Sequence, residues 1–571
     1  MTTSTTQETA TSAFTHSGSR AKFLFFCSLA AVVLFAGFFK IADLDFWWHL
    51  KTGQIIWQQK AFQDKEIYSF TAAGRPYVDH EWLFQVIQYA LYSNGGALAV
   101  ILFKCALLSA AYLLVARHLI RLGSGYLPAL ILLSLSICAG RPRFIERPEI
   151  FTALFLVIVY LLIDSSLRSG KGKRLWWILP VIVVWSNIHA AVILGLVVEF
   201  AFLAGIATER FLSKSGYGVW YPESGRVVAS LAVVSLLSIV VTGINPCGYQ
   251  VLQVPFQLTS IIDSGLLKNQ EWQQPSPLQL PFFYICALAG LFLHAINFRK
   301  LHVTGFLLTA FFAYISLKYV RNIGLFAILM PLLVAPYLSE VRTRLSEYRL
   351  ILMMAAGVLL FFILWRSPFE FGTGQASYFP EQMVRFTRDQ NLQGHMLNSY
   401  AFGGYLIWRL YPERKVFIDG RNEVYLPLIK RVVESRADSR KWKKLLGDYQ
   451  IEYALLNYVD QLEELKIMQK DGTFVTTYAP FSSTHFPRSA WALVYWDDDG
   501  MVLIKRNGSN QNLMPLEYTS VFPEGAYYEQ SLARAGRINV DKAIEELNRK
   551  LKEDPSCSRA RLLLDSLQGG L

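Results

Sequence analysis

Charge is scarce in this chain. Of its 571 residues, 17% are Asp, Glu, Lys or Arg, against roughly 25% in soluble globular proteins. The shortfall is concentrated in the first 365 residues, which excludes a wholly soluble protein and leaves a polytopic membrane protein with a soluble tail. Cysteine is scarce too. Cys27, Cys105, Cys138, Cys247, Cys286 and Cys557 include no CxxC spacing, so neither a disulfide framework nor a cysteine-built metal site is expected. The chain has no P-loop, no GxGxxG fingerprint and no Ser-His-Asp arrangement. No nucleic-acid motif is found either, so the net charge of +12 is assigned to topology and anionic lipids.

What is abundant is apolar sequence, 53% of the chain. A bilayer core takes about 20 apolar residues per helix. Eleven stretches qualify as candidate spans: Phe23–Ile41, Ala97–Arg117, Tyr126–Gly140, Glu149–Asp164, Trp176–Asn187, Ala190–Thr208, Val227–Asn245, Pro281–Asn297, Leu301–Leu317, Asn322–Leu338 and Leu350–Trp365. Trp176–Asn187 and Ala190–Thr208 read alternatively as one kinked helix. Residues 1–22 read as a disordered cytoplasmic N-terminus, and no small-residue cleavage site follows the first apolar run, so that run is an uncleaved span. With the N-terminus inside, the inner loops carry Arg117 and Arg121, Arg168 to Arg174, Arg210 to Arg226, Arg299 and Lys300, and Arg342 to Arg349. All are basic, as the positive-inside rule requires. The large first loop, 42–96, then lies outside, and so does the tail from Arg366.

That first loop holds the chemistry. Asp43-Leu44-Asp45-Phe46-Trp47-Trp48-His49-Leu50 packs acids and a histidine against tryptophans at the end of a span, and Asp79-His80-Glu81-Trp82 repeats the combination. Ionisable groups at a membrane boundary are costly and usually functional. A carboxylate there can deprotonate an acceptor or hold a divalent cation. The alternative is that Asp43 or Asp45 caps a surface helix over Phe46–Gln59. Two short outer segments, Arg141–Pro148 and Lys318–Asn322, carry cations on the wrong side. Binding of a lipid phosphate or diphosphate explains them, through Arg141, Arg147, Arg321 and Lys318; snorkelling to headgroups is the alternative. Asn187 and His189 interrupt an apolar region and would line a lipid groove or bond a neighbouring helix.

The tail opens with a Gly372–Gly374 linker and reads as α/β. Helices are predicted over Pro380–Asn391, Leu426–Glu434 and Arg440–Leu446, and strands over Lys415–Ile418, Tyr453–Leu456, Ala492–Tyr495 and Met501–Lys505. Asp419-Gly420-Arg421 follows the first strand and is either a turn with a local ion pair or an acceptor-recognition element. Val540–Lys552, Asp554-Pro555 and Ser558–Leu567 are similar to one tetratricopeptide unit, which cannot stand alone and must pack on the tail or on a partner.

The stretch from Asp43 to Gly96 resembles the first extracytoplasmic loop of GT-C-fold membrane glycosyltransferases, including protein mannosyltransferases and archaeal oligosaccharyltransferases. "SNIHAAVILG", "INPCGYQVL", "EWQQPSP" and "FGGYLIWRLYPERKVFIDGR" resemble an uncharacterised bacterial branch. The resemblance implies a polytopic GT-C-like helical domain over 23–365, an extracytoplasmic α/β domain over 366–525 and a helical segment over 526–571. It implies inverting transfer of a sugar from a polyprenyl-phosphate donor in a bacterial inner membrane. Asp45 would be the base and Asp43 its second, accompanied by His49, His80 and Glu81. Arg141, Arg147, Lys318 and Arg321 would hold the phosphate, His189 and Asn187 the donor, and Asp419 and Arg421 the acceptor. A divalent cation, Mg or Mn, would sit on Asp45 and Glu271, although the second outer loop offers only Glu146 where metal-dependent relatives carry an acid pair. Two other readings stay open: a flippase for lipid-linked sugars, and an envelope assembly protein that recruits a partner through its C-terminal helices.

Overall fold

The computed structural model describes residues 22–214, 220–221, 225–263, 265, 270–338, 357, 370–458, 463–468 and 473–569. The expected disordered N-terminus falls outside these residues, Lys22 excepted. So do the Leu350–Trp365 span, apart from Gly357, and the basic loop carrying Arg342, Arg344 and Arg349. Two compact units emerge. The first comprises Met1–Asp43, Thr52–Phe62 and Val78–Gln375; the second comprises Leu44–Lys51, Gln63–Tyr77 and Ala376–Leu571.

The first unit is helical. Its elements are α1 (Lys22–Gly37), the end of α2 (Phe46–Gln59), α3 (Trp82–Arg121), α4 (Tyr126–Gly140), α5 (Glu149–Ser169), α6 (Ile178–Ser186), α7 (Ile193–Ser213), α8 (Gly225–Thr242), α9 (Val254–Asp263), α10 (Pro281–Ile296), α11 (Val303–Lys318) and α12 (Ile323–Val334). Apolar runs of this kind favour helix because every backbone polar group is satisfied within the segment, as a bilayer demands. Among the described residues, five helical stretches are long and apolar enough to cross a membrane: Trp82–Arg121, Glu149–Ser169, Ala190–Ser213, Gly225–Thr242 and Val320–Tyr337. Shorter apolar helices lie at Lys22–Gly37, Pro281–Ile296 and Val303–Lys318. Leu236 and Val240 on α8, and Leu288 and Phe292 on α10, are exposed. Their outward faces are as apolar as the core, which fits a lipid surround rather than water.

Three details position the site. Helix α3 begins at Trp82, well before the span predicted at Ala97, and breaks at Gly95–Gly96, where Gly96 has φ 60°. The sequence reading placed the loop end at this glycine pair; the chain instead folds helically on both sides of it. Helices α6 and α7 are separate, because Asn187 ends the first and His189 is extended at φ −158°. Helix α5 runs against α3 and α7, and α12 against α4 and α11, around one continuous apolar core.

The second unit is α/β. It contains α13 (Glu381–Asp389), β1 (His395–Asn398), α14 (Gly403–Leu410), α15 (Asn422–Arg436), α16 (Ser439–Asp448), β2 (Ile451–Asn457), β3 (Glu463–Met468), β4 (Phe474–Ala479), α17 (Phe481–His485), β5 (Trp491–Trp496), β6 (Gly500–Lys505), α18 (Ala526–Arg534), α19 (Val540–Glu553) and α20 (Ser558–Gly569). The main sheet has the order β1-β2-β6-β5, with β1 and β2 parallel and the others antiparallel; β3 and β4 form a separate hairpin. The predicted strand at Lys415–Ile418 reduces to one bridge, Val416 to Ser69. Its neighbouring groups are taken by side chains: Asn398 Oδ1 accepts from Phe417 N at 2.8 Å, and Thr71 Oγ1 donates to Phe417 O at 2.6 Å. No ladder is left to build. The C-terminal hairpin α19–α20 packs on the tail itself. Glu546 accepts from the backbone N–H of Thr519, Ser520 and Val521, and Asp498 accepts from those of Ser558 and Arg559.

Candidate functional site

In the first unit, turns at the ends of six helices bring six charged side chains together. Asp43 follows α1, Arg143 ends a 3-10 turn after α4, Arg147 and Glu149 open α5, Glu271 sits in a short turn before α10, and Arg321 lies between α11 and α12. They form an alternating chain. Asp43 Oδ1 accepts from Arg147 Nε at 2.8 Å. Arg147 and Arg143 both donate to Glu271, Arg143 at 2.9 Å. Arg143 also donates to Glu149 at 2.6 Å, and Glu149 accepts from Arg321 at 3.1 Å. The Arg321 guanidinium lies 4.3 Å from the Trp272 ring centre. A buried ion pair survives only when such partners are complete, since desolvating each charge costs several kcal/mol.

Two places in the chain are incomplete. Asp43 Oδ2 and Arg143 Nε are buried and have no hydrogen-bond partner among the described residues. Burial raises the Asp43 carboxyl above the ordinary carboxylate range, and the attraction of Arg147 only partly offsets this. Glu271 goes the other way. Burial pushes it up, but Arg147, Arg143 and Arg321 together hold it well below the usual range. The arginine charge is thus spent mainly on Glu271, leaving Asp43 the more basic acid.

Beside this chain lies a histidine–acid group. His189 hydrogen-bonds Thr152 Oγ1 at 2.8 Å and stands 3.9 Å from Glu81, which is 3.6 Å from His80. Burial lowers His189 to about 3, and it feels the charges of Glu149, Arg321 and Arg147. It is therefore neutral and uncharged at physiological pH. Asp79 is buried and pushed up to about 7 by that burial. Asn187 accepts from Trp82 Nε1 at 2.9 Å and donates to the carbonyls of Val183 and Ile244. It ties the helix ends and takes no part in the charged chain.

Of the wrong-sided cations, Arg147 and Arg321 enter the cluster. Arg141 donates to the Ala36 carbonyl at 3.3 Å, and Lys318 pairs with the exposed Asp263 at 3.0 Å. Glu146 meets Lys104 at 2.6 Å, both buried. Sequence reasoning missed Arg143, Glu149 and Lys104. The signal for Lys104 was present, since a lysine inside an apolar span is a functional hint in itself.

Asp45, His49, Asp419 and Arg421 belong to the second unit. Asp45 Oδ1 accepts from Trp48 Nε1 at 3.2 Å and lies so close to Gly420 that a Cβ there would sit 2.0 Å away. His49 is buried, its ring centre 3.7 Å from that of Trp48. Arg421 forks onto Asp419 at 2.8 and 2.6 Å, reaches Glu66 with its third nitrogen, and lies under Tyr68 and Tyr77. Asp419 also accepts from Tyr425, and Glu66 from the N–H of Tyr68 and Ser69. The side chains of Arg421 and Asp419 are 1% and 0% exposed. This pair is a sealed turn; an acceptor cannot reach it.

Among the described residues, no three His, Cys, Asp or Glu side chains are placed to share a cation. Both oxygens of Glu271 are engaged by arginine. The donor set does not fit Mg or Mn.

No protein-family profile matches the chain, and no curated protein matches it. Solved structures do. The archaeal oligosaccharyltransferase AglB from Archaeoglobus fulgidus, in complex with an inhibitory peptide and a dolichol-phosphate, superposes with a TM-score of 0.58 at 10% identity, covering 94% of this chain and 87% of that one. The Archaeoglobus fulgidus enzyme tethered to an acceptor peptide containing the NVT sequon gives 0.54 at 11% identity, covering 92% and 86%. Its complex with Zn and sulfate gives 0.53 at 10% identity, covering 94% and 83%. The chain shares its fold with these oligosaccharyltransferase structures.

Proposed function

We propose that the protein is an integral membrane glycosyltransferase that moves a sugar from a polyprenyl-phosphate donor to an extracytoplasmic acceptor. The observation that carries this reading is the chain Asp43–Arg147–Glu271–Arg143–Glu149–Arg321 with its one unpartnered oxygen. It occurs on a fold shared with an enzyme captured with a dolichol-phosphate. Arg147 and Arg321 keep 15% and 21% of their side-chain surface exposed, against 6% for Arg143. The first two would meet the donor phosphate, and Arg143 would hold the acids around them.

In the reaction, Asp43 Oδ2 takes the proton from the acceptor hydroxyl or amide as the acceptor attacks C1 of the sugar. The bond from C1 to the phosphate oxygen breaks, its electron pair stays on the phosphate, and C1 inverts. Guanidinium groups already in place stabilise that developing charge without reorganising. A raised carboxyl basicity is what proton removal near neutral pH needs. Asp45 is the rival base, adjacent in sequence but held by Trp48. No step runs through a metal ion. The same reading puts the N-terminus in the cytoplasm and the tail outside a bacterial inner membrane.

The test is transfer from radiolabelled polyprenyl-phosphate sugars to membrane extract by the reconstituted protein. Asp43→Asn is expected to abolish transfer while donor binding persists. Full transfer in Asp43→Asn with loss in Asp45→Asn would move the base to Asp45. Donor binding with no transfer in any form, wild type included, would replace the transferase with a flippase.

A further inference from the structure

Far along the chain from these charges, the second unit contains a cavity of about 220 Å³. This is below the range of about 300–1,000 Å³ typical of drug-sized ligands and suits a smaller group. It lies at the end of β2, against the start of α17 and the start of α18. Its walls are aromatic, formed by Tyr458, Phe481, Tyr527 and Tyr528, and its polar groups include Asn457 and Glu524.

Two acceptors there lack donors. Glu524 Oε1 is held by the hydroxyls of Ser482 and Ser483, the latter at 3.2 Å, but Glu524 Oε2 is buried and has no partner among the described residues. Asn457 Oδ1 is buried and unpartnered too, while its backbone N–H donates to Ser399 Oγ at 3.0 Å. A buried acceptor without a donor is costly, so a ligand that fills this cavity has to bring hydrogens. Tyr527 is 85% exposed, an unusual position for a large ring, and its face is free to take a flat apolar surface.

Saccharides and organic ammonium ions both bring several donors and an apolar face. The local charge separates them. The Arg559 guanidinium lies 3.7 Å from the Tyr458 ring centre and donates to the Pro523 carbonyl at 2.8 Å, beside Glu524 in sequence. Arg488 also feels the Glu524 charge. Two arginines near Glu524, Arg559 and Arg488, disfavour a further cation and leave neutral hydroxyls as the matching donors.

We infer that this cavity is a saccharide-binding site, in which Glu524 Oε2 and Asn457 Oδ1 accept from sugar hydroxyls and Tyr527 stacks on a sugar face. Under the transferase reading such a site would hold acceptor or product glycan; binding itself does not depend on that reading.

The test is saturation-transfer NMR on the full-length protein in lipid nanodiscs, with maltotriose, chitotriose, xylotriose and mannotriose as probes and cyclohexylammonium, a cation with N–H donors and an apolar face, as the control. At least one trisaccharide is expected to bind saturably. Glu524→Gln, which keeps the serine contacts, is expected to weaken it about tenfold, and Tyr527→Ala about fivefold. Both variants should melt with the wild type, which separates loss of the site from loss of the fold. Binding by none of the sugars, unchanged affinity in both variants, or binding of cyclohexylammonium alone would overturn the inference. Because no transfer is measured, failure of the transferase reading leaves this result standing.

Discussion

Two buried arginine–carboxylate assemblies have the same chemistry and differ in what is left over. In the tail, Arg421 serves Asp419 and Glu66, Tyr425 and backbone N–H groups add further donors, Glu66 Oε2 keeps its Arg421 ion pair alone, and the side chains are almost wholly sealed. In the helical unit, the six-residue chain keeps two arginines partly exposed and leaves one carboxylate oxygen of Asp43 buried without a donor. A closed assembly fixes a turn. An open one carries strain that a substrate can relieve. Sequence position alone does not separate the two, since both are arginines near acids; the surface left exposed on the arginines does.

The contrast can be broken from either side. The largest expected effect is on chemistry: Asp43→Asn should lower transfer by about 10²–10⁴-fold, the range for losing a positioned base, with little change in melting. Next is Arg421→Met, which strands two buried carboxylates. It should cost about 3–5 kcal/mol of stability, read by thermal unfolding of the full chain, and any loss of activity should follow the loss of folded protein.

Asp79 gives a pH signature of similar size. Its carboxyl is raised to about 7, chiefly by burial. The folded protein therefore keeps that proton at pH values where the unfolded chain has lost it, and stability falls as pH rises from about 4 to 7. Asp79→Asn should match wild type near pH 4 and exceed it at pH 8 by up to about 4 kcal/mol. Gly420→Ala drives a Cβ to 2.0 Å from Asp45 Oδ1, and about 1–3 kcal/mol of destabilisation is expected. Lys318→Ala removes an exposed pair with Asp263 and should change neither melting nor transfer.

How much of this was legible depends on the kind of signal. The first-loop acids and the wrong-sided arginines could be read because they violate a strong rule, and Asp43, Arg147, Arg321 and Glu271 do meet. Glu149 was hidden because an acid opening a helix reads as ordinary dipole compensation. Arg141 and Lys318 broke the same topological rule as Arg147 yet found local partners, a carbonyl and Asp263. In the tail, alternating strands such as Trp491–Trp496 were visible, whereas His395–Asn398 is too short to show a period. The hairpin Glu463–Met468 with Phe474–Ala479 was missed, although an Asp471-Gly472 pair stands between its strands in the sequence. Lys415–Ile418 has a strand's composition, but side chains take its backbone partners. No residue pattern announces that.

The central claim is that the open assembly is a phosphate site and the closed one is not. Its most direct test is the affinity of a short-chain polyprenyl phosphate, without sugar, for the reconstituted protein and for Arg147→Gln. The account requires saturable binding to wild type and at least tenfold weaker binding to Arg147→Gln, the scale of one lost charge-assisted guanidinium–phosphate contact. Equal affinity in the two proteins, with both folded, would contradict it.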